Sequence, residues 1–407
     1  MIILSPETEI SNEVVLLFQA LDNKDECYKI FCDDGLHSDY DVSSLTHTWY
    51  ITDNMSRFDV EYAKIWALGK DLEAVCPESL LPRWNSVRNQ AKVFIKTFTE
   101  AKINLDDVCF YDLVPDSFLL EYYGVKNEIT KHVFETFDKP KNYDFMKNLI
   151  IFLRELEKNE ILVSLENLSF ENSKVRSSVG KLKNTSKKIS FNPWGTVTGR
   201  LTTNKNSFPI LTLNKELRHA VVPKNDLFLE LDYNAAEIRT LFGLLGQDQP
   251  EIDIHEWISK EIFNSKYSRD ESKVKVFGWL YNPKAKNKKL NDYLNRDKIM
   301  EKYYIGNKVH TPYNRDIEAD KDKALNYLIQ STSSDMFLNS AMKVSKLLKD
   351  KKSFISFCIH DSLVIDVSAE DKKIIDNLVS VFSDTKFGKM KTNLSLGKNF
   401  GDMRKIS

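Results

Sequence analysis

The chain has 407 residues, a formal net charge of -1, 42% hydrophobic residues and 29% charged residues. That length supports a large apolar core and more than one domain, and that balance excludes an intrinsically disordered chain. A near-neutral charge also excludes a uniformly basic nucleic-acid coat, so any nucleic-acid contact must come from local positive charge. No apolar run reaches membrane-spanning length, and the Met1-Ile2-Ile3-Leu4 start is too short for a signal-peptide core. The five cysteines, Cys27, Cys32, Cys76, Cys109 and Cys358, have no paired zinc spacing. An odd, scattered set reads as free thiols in a reducing compartment, so a cytoplasmic location is expected.

From the N-terminus, short apolar runs alternate with acidic turns up to about residue 125. Met1–Leu4, Val14–Phe18 and Tyr28–Phe31 read as short extended stretches, and Asp59–Leu68 and Trp84–Phe98 as helices. The pattern predicts a small α/β unit over residues 1–140. Tyr143–Leu156 then has the spacing of an amphipathic helix, followed by Ile161-Leu162-Val163. Residues 171–190 carry Lys174, Arg176, Lys181, Lys183, Lys187 and Lys188 against Glu171 alone. Six cations interleaved with Ser, Asn and Gly suit phosphate contacts; the alternative is a solvated linker.

Leu227–Leu231 reads as a buried strand that delivers Asp232 at its end, and an alanine-rich helix start carrying Glu237 and Arg239 follows. The apolar run Ser353–Cys358 and the run Ser362–Val367 are separated by Ile359-His360-Asp361 and read as a hairpin with the acid at its turn. A carboxylate at the tip of a strand is rigidly held, which is where a metal-dependent site puts a ligand. Two ordinary loop aspartates are the alternative. Between these stretches Arg269, Lys273, Phe277 and Tyr281 are spaced by four, so they share one face of a helix. Two cations lie at one end of that face and two rings at the other, so a triphosphate can lie along the cations while a base stacks near the rings.

These stretches together resemble the motifs of the DNA polymerase I family (family A), including its phage replicative members. Asp232-Tyr233 with Glu237 and Arg239 resembles the palm motif, His360-Asp361 the second acidic motif, and residues 269–281 the fingers helix. Gly195-Thr196-Val197-Thr198-Gly199-Arg200-Leu201 resembles the Thr-Gly-Arg-Leu primer–template motif, and Leu217–Pro223 the segment before the palm strand. Asp253-Ile254-His255 and Asn326–Asp335 also fall in family order. Seven segments in one order cover roughly residues 181–400.

The resemblance implies an α+β right-hand fold: an antiparallel-sheet palm, helical fingers and a reduced thumb, beside the small N-terminal α/β domain. The expected boundaries are 1–140 for the N-terminal domain, 141–190 for the abbreviated thumb and basic segment, 191–244 and 319–407 for the palm, and 245–318 for the fingers. It implies a DNA-templated DNA polymerase extending a primer 3′ end with deoxynucleoside triphosphates on two Mg²⁺ ions, with Mn²⁺ able to substitute. Asp232, Asp361 and the Tyr233 carbonyl would be the metal ligands. Lys273 would act at the α-phosphate and Arg269 at the γ-phosphate, with His255, Phe277 and Tyr281 completing the nucleotide site. Glu237 would bond Tyr281 and exclude a ribose 2′-hydroxyl. Arg200 and Gln330 would probe the minor groove. Asn326 and His360 would touch the primer, Lys181, Lys183, Lys187 and Lys188 the DNA backbone, and Arg315 would be the remnant of a basic cluster.

Several positions depart from the family pattern. Ser362 follows Asp361 where the family usually has Glu, Asn282 and Ser331 replace glycines, and Ser207-Phe208 interrupts an Asn-rich segment. The shortened thumb leaves grip on the duplex to a processivity factor or confines synthesis to short tracts. In the N-terminal domain the nearest matches to proofreading motifs are Glu7-Thr8-Glu9, then Asn54, Phe58 and Asp59, then Tyr143-Asp144. These do not assemble a two-metal nuclease, so no proofreading is expected and a separate exonuclease is a candidate partner. The domain is otherwise an unrelated small fold or a degenerate remnant. The compactness and the Lys- and Asn-rich composition fit a bacteriophage or plasmid source, hence the host cytoplasm. The competing function is a catalytically weak or inactive primer–template binding protein of the same fold.

Overall fold

The computed structural model describes residues 16–21, 29–38, 40–52, 55, 58–105, 107–166, 168, 186–282 and 284–406. The fold is α+β, and the chain divides into two compact units, Met1–Tyr143 and Asp144–Ser407.

In the first unit, β1 (Leu17–Ala20), β2 (Ile30–Cys32), β3 (Gly35–His37), β4 (His47–Thr48) and β5 (Glu61–Tyr62) form a mixed sheet in the order β3-β2-β1-β4-β5. The β1–β2 and β2–β3 pairs are antiparallel, and β1–β4 and β4–β5 are parallel. Helices α1 (Leu81–Glu100) and α2 (Asp116–Thr136) build two apolar clusters, one including Phe31, Phe98 and Phe118, the other Trp49, Trp84 and Val133. The helix expected over Asp59–Leu68 is one turn only, Ala63–Trp66. Glu61 and Tyr62 are taken into the sheet, and Leu68 and Gly69 both adopt positive φ, which ends the helix. Strand β1 reads Leu-Phe-Gln-Ala, and its Gln19 is buried and donates to Asn127 and Thr130. Glu7–Glu9 and Asn54 lie outside the described residues. Cys109 is disulfide-bonded, which corrects the expectation of five free thiols; Cys32, Cys76 and Cys358 are free. Sequence parity carries no information about which thiols the fold brings together.

The second unit contains α3 (Tyr143–Glu157), β6 (Leu162–Val163), a short hairpin of β7 (Phe191–Asn192) and β8 (Thr202–Thr203), and β9 (Val221–Val222) paired with β6. Next come β10 (Leu227–Tyr233), α4 (Ala236–Leu244), α5 (Ile254–Trp257), α6 (Arg269–Tyr281), α7 (Lys288–Tyr293) and α8 (Arg296–Tyr303). A small antiparallel sheet of β11 (Tyr304–Ile305), β12 (Lys308–His310) and β13 (Asp316–Glu318) leads into the 28-residue helix α9 (Lys321–Leu348). The chain then runs through β14 (Phe354–Ile359), β15 (Ser362–Val367), α10 (Ile375–Ser383), the hairpin of β16 (Asp384–Thr385) and β17 (Gly388–Lys389), β18 (Thr392–Gly397) and β19 (Arg404–Lys405).

The main sheet has the order β14-β15-β10-β18-β19 and is antiparallel throughout. Its central strand β10 alternates. Leu229, Leu231 and Tyr233 are fully buried, while Glu230 and Asp232 lie on the opposite face. The Tyr233 ring stacks on Phe382 of α10 at 4.4 Å, and its hydroxyl donates to the Phe382 carbonyl. A second apolar cluster, including Ile238, Phe242, Trp279, Leu280 and Leu328, joins α4, α6 and α9.

Candidate active site

The sheet register sets the acidic pair. Asp232 stands directly opposite Ser362 on one side and Asn393 on the other. Asp361 immediately precedes Ser362, in the two-residue turn between β14 and β15 where His360 takes φ +52°. Asp232 and Asp361 are therefore brought to the same end of two neighbouring strands. The Asp232 carboxylate is half-buried and accepts from Asn393 Nδ2 at 3.0 Å. Burial pushes its carboxyl up to about 6, and the charges of Asp361 and Glu230 push the same way against Asn393 and Lys405. Asp361 is likewise raised, mainly by burial. Two neighbouring half-buried carboxylates raised by burial, one of them also by the other's charge, are short of positive charge.

Glu237, in the first turn of α4, is raised by burial and by Asp361, while Arg200 opposes the rise. Its observed hydrogen bond and ion pair go to Arg200, not to Tyr281 as expected. The Arg200 side chain is 48% exposed, so the pair lies at the edge of the site. The turn carrying Arg200 is fixed from below. Gly199 has φ +75°, and a Cβ there would lie 2.7 Å from the Arg315 guanidinium carbon, so both backbone and space demand glycine. Ser334 of α9 donates to the Gly199 carbonyl at 3.2 Å. Arg315 itself makes two hydrogen bonds to the fully buried Asp335, at 3.0 and 2.8 Å. The Arg315 charge is consumed by Asp335, and its guanidinium serves as the floor of the Gly199–Arg200 turn.

Behind the acidic pair the chain turns sharply through Ala235, which has φ +54°. Arg239, 0% exposed, holds this turn. It donates to the carbonyls of Asn234, Pro250 and Ile252 and to Asn234 Oδ1. Asn234 in turn accepts from the Ile254 amide and donates to Asp253. Asp253 caps α5 and pairs with Arg269 at 3.0 Å; its carboxyl is held well below the usual range by hydrogen bonds from Arg269, Asn234 and the Glu256 amide that overcome partial burial. Asn234, Asp253 and Arg269 thus tie the first turn of α6 to the residue that leaves β10.

Helix α6 begins at a capping box formed by Ser268 and Glu271. Phe277 and Tyr281 stack at 5.8 Å with their planes 4° apart, and Lys273 is exposed with no ion-pair partner among the described residues. Arg269 also bonds Asp270, whose side chain is 85% exposed. His255 is 2% exposed and lies 5.7 Å from the Phe277 ring. Burial, assisted by the cations around it, holds it at about 4, so it is neutral at physiological pH. His255 thus packs beside Phe277, and as a neutral ring it can still donate an N–H to an anion. Asn326 and Gln330 lie one turn apart on α9, and the Asn326 Oδ1 is buried without a partner. Lys187 and Lys188 are exposed, their carbonyls held by the Ile161 and Phe208 amides; Lys181 and Lys183 lie outside the described residues.

Sequence reasoning assigned no role to Asn234 or Asn393, and named Asp253 only within its segment. A polar residue inside the alternation of β18 was the one available hint for Asn393. Among the described residues no group of three or more His, Cys, Asp or Glu side chains could hold a metal unaided. Two carboxylates with only oxygen donors nevertheless fit Mg²⁺, which keeps several waters and takes the rest of its shell from substrate phosphates.

No protein-family model matches the chain, and the comparison with curated proteins finds no match. Among solved structures, the chain is similar to the POL domain of Pol1 from M. smegmatis in complex with DNA primer-template and dNTP, at 14% identity and a TM-score of 0.41, covering 79% of this chain and 67% of that one.

Proposed function

We propose that the chain is a DNA-templated DNA polymerase that adds deoxynucleotides to a primer 3′ end. The observation carrying this reading is the meeting of Asp232 and Asp361 at one end of an antiparallel sheet whose exit turn is tied through Asp253 to the Arg269–Tyr281 helix. In this reading Asp232, Asp361 and the Tyr233 carbonyl hold two Mg²⁺ ions, with Mn²⁺ able to substitute. Bound Mg²⁺ supplies the acidity that frees the primer 3′-oxygen and offsets charge on the departing pyrophosphate.

The chain's own residues do the positioning. Lys273 meets the α-phosphate and hands a proton toward pyrophosphate. Arg269 meets the γ-phosphate by exchanging its exposed partner Asp270 while Asp253 keeps it aimed. Phe277 and Tyr281 present a stacked platform to the base. Glu237 stands where a ribose 2′-hydroxyl would intrude, denying it both space and a partner. Arg200 and Gln330 face minor-groove acceptors that all base pairs offer in similar places, so they test pair shape rather than sequence. Asn326, His360 and the exposed Lys187 and Lys188 contact the primer strand and backbone. A cytoplasmic site of action, a processivity partner and a bacteriophage or plasmid source belong to the same reading.

Primer extension on a labelled DNA hairpin with Mg²⁺ tests it, run with dNTPs and rNTPs and with a mismatched terminus. Extension with dNTPs alone, lost by at least about 1,000-fold in Asp232→Ala, is expected. Equal activity of wild type and Asp232→Ala, or none in either, would sink the reading. The second reading, a primer–template binder without catalysis, is favoured by Ser362 in place of an acid; it predicts hairpin binding without extension.

A further inference from the structure

We propose that Glu230 is a positioning residue of the Asp232–Asp361 site, acting through a water on the cation those aspartates hold, and aimed by the Ser362 hydroxyl. The inference rests on the polymerase reading for its activity arm but not for its binding arm.

Glu230 lies two residues before Asp232 on β10, so both side chains leave the same face of the sheet, about 7 Å apart along the strand. Ser362 stands directly opposite Asp232, and its Oγ reaches diagonally to donate to Glu230 Oε1 at 2.9 Å. The hydroxyl that orients Glu230 therefore belongs to the residue immediately after Asp361. One turn presents Asp361 and, one position later, fixes Glu230. The carboxylate that the family resemblance leads one to expect at position 362 stands instead on the adjacent strand, with the hydroxyl in its place.

The arrangement works against the apo fold. Two carboxylates two positions apart on one face of a strand repel each other, and Glu230 sits on the central strand of five, between the fully buried Val364 and the half-buried Ser395. The next residue in that cross-strand row, Lys405, gives the only cation in it. Because no three acids converge closely enough to ligate a metal among the described residues, Glu230 acts from outside the ligand sphere. Mg²⁺ retains bound waters, and a carboxylate accepting from one of them strengthens binding; loss of such a partner weakens metal affinity by about 10–100-fold.

The test measures Mn²⁺ binding to the full-length chain by electron paramagnetic resonance in the presence of dNTP, beside the Mg²⁺ dependence of primer extension. Variants are Glu230→Gln, Glu230→Ser and the exchange pair Glu230→Ser with Ser362→Glu. Glu230→Gln and Glu230→Ser should each weaken Mn²⁺ binding about 10-fold or more. The exchange pair should return to within about threefold of wild type, which a purely structural role would not produce. Thermal unfolding of Glu230→Gln should be no lower than wild type, since a like charge has been removed. Mn²⁺ binding unchanged within about twofold in Glu230→Gln, or an exchange pair no better than Glu230→Ser, overturns the proposal. A wild type that binds Mn²⁺ yet extends no primer removes the polymerase reading while the binding arm still decides Glu230. A wild type that binds no Mn²⁺ removes this proposal as well.

Discussion

Asp232→Asn should make the metal-free protein more stable while it abolishes primer extension. The Asp232 carboxyl is held at about 6 instead of its ordinary 3.8, with burial the leading cause. A folded-state value above the unfolded one means that the folded chain binds the proton more tightly. The contribution to stability is fully present below pH 3.8 and is lost as pH rises through 6. At pH 7.5 the ionised group therefore costs up to about 3 kcal/mol, and about 1–2 kcal/mol once solvent screening of a half-buried group is allowed for. Asparagine keeps an acceptor for Asn393 Nδ2 and carries no charge, so it recovers most of that. In a unit of this size the gain corresponds to about 2–8 °C in Tm. Scanning calorimetry of both proteins in chelator, at pH 7.5 and at pH 4.5, reads it directly. The variant should lead at pH 7.5, the gap should narrow to about a third at pH 4.5, and Mg²⁺ should raise the Tm of the wild type only. A variant that melts at or below wild type at pH 7.5, or a gap that ignores pH, would refute the electrostatic reasoning.

Other substitutions probe the supports of the site. Arg239→Met leaves the Pro250 and Ile252 carbonyls and Asn234 without their donor in a closed interior; a loss of about 3–5 kcal/mol is expected by denaturant titration, with extension falling in step. Gly199→Ala combines a left-handed backbone with a Cβ pressed on the Arg315 guanidinium, so about 1–3 kcal/mol of stability and a larger fraction of hairpin affinity should be lost. Phe277→Tyr adds a phenolic hydroxyl to the nucleotide platform and should ease incorporation of dideoxynucleotides; single-turnover kinetics showing equal discrimination by both enzymes would count against that role.

Much of the site is written locally. The alternation of Leu227–Tyr233, the two apolar runs around His360-Asp361 and the four-residue spacing from Arg269 to Tyr281 each signal an element within a dozen residues. The structure has strands at 227–233, 354–359 and 362–367 and a helix at 269–281. What was not legible depends on partners far along the chain. Arg200 and Arg315 are both plain basic residues in sequence, yet one is half exposed beside Glu237 and the other is buried against Asp335. His255 is ambiguous until Phe277 and the surrounding cations define its burial and charge. Asp59–Leu68 shrank to one helical turn because pairing with β4 captured Glu61 and Tyr62, a tertiary choice that local spacing cannot express. Asn393 reaches Asp232 across 161 positions, and nothing near either residue announces it.

The central strand has a consequence for biosynthesis. Both neighbours of β10 are made late: β15 ends at Val367 and β18 at Gly397. While the nascent chain is still on the ribosome, Leu227–Tyr233 offers two open strand edges until about 135 further residues have followed, and one until about 165 have. Bringing such distant segments together is slow, because loop closure must precede the pairing that rewards it. A stop codon or proteolytic cut before Gly397 would therefore leave a sticky, half-built sheet, prone to aggregate and to demand chaperones, whereas the strands and helices of the N-terminal unit, among its described residues, are in place by Thr136.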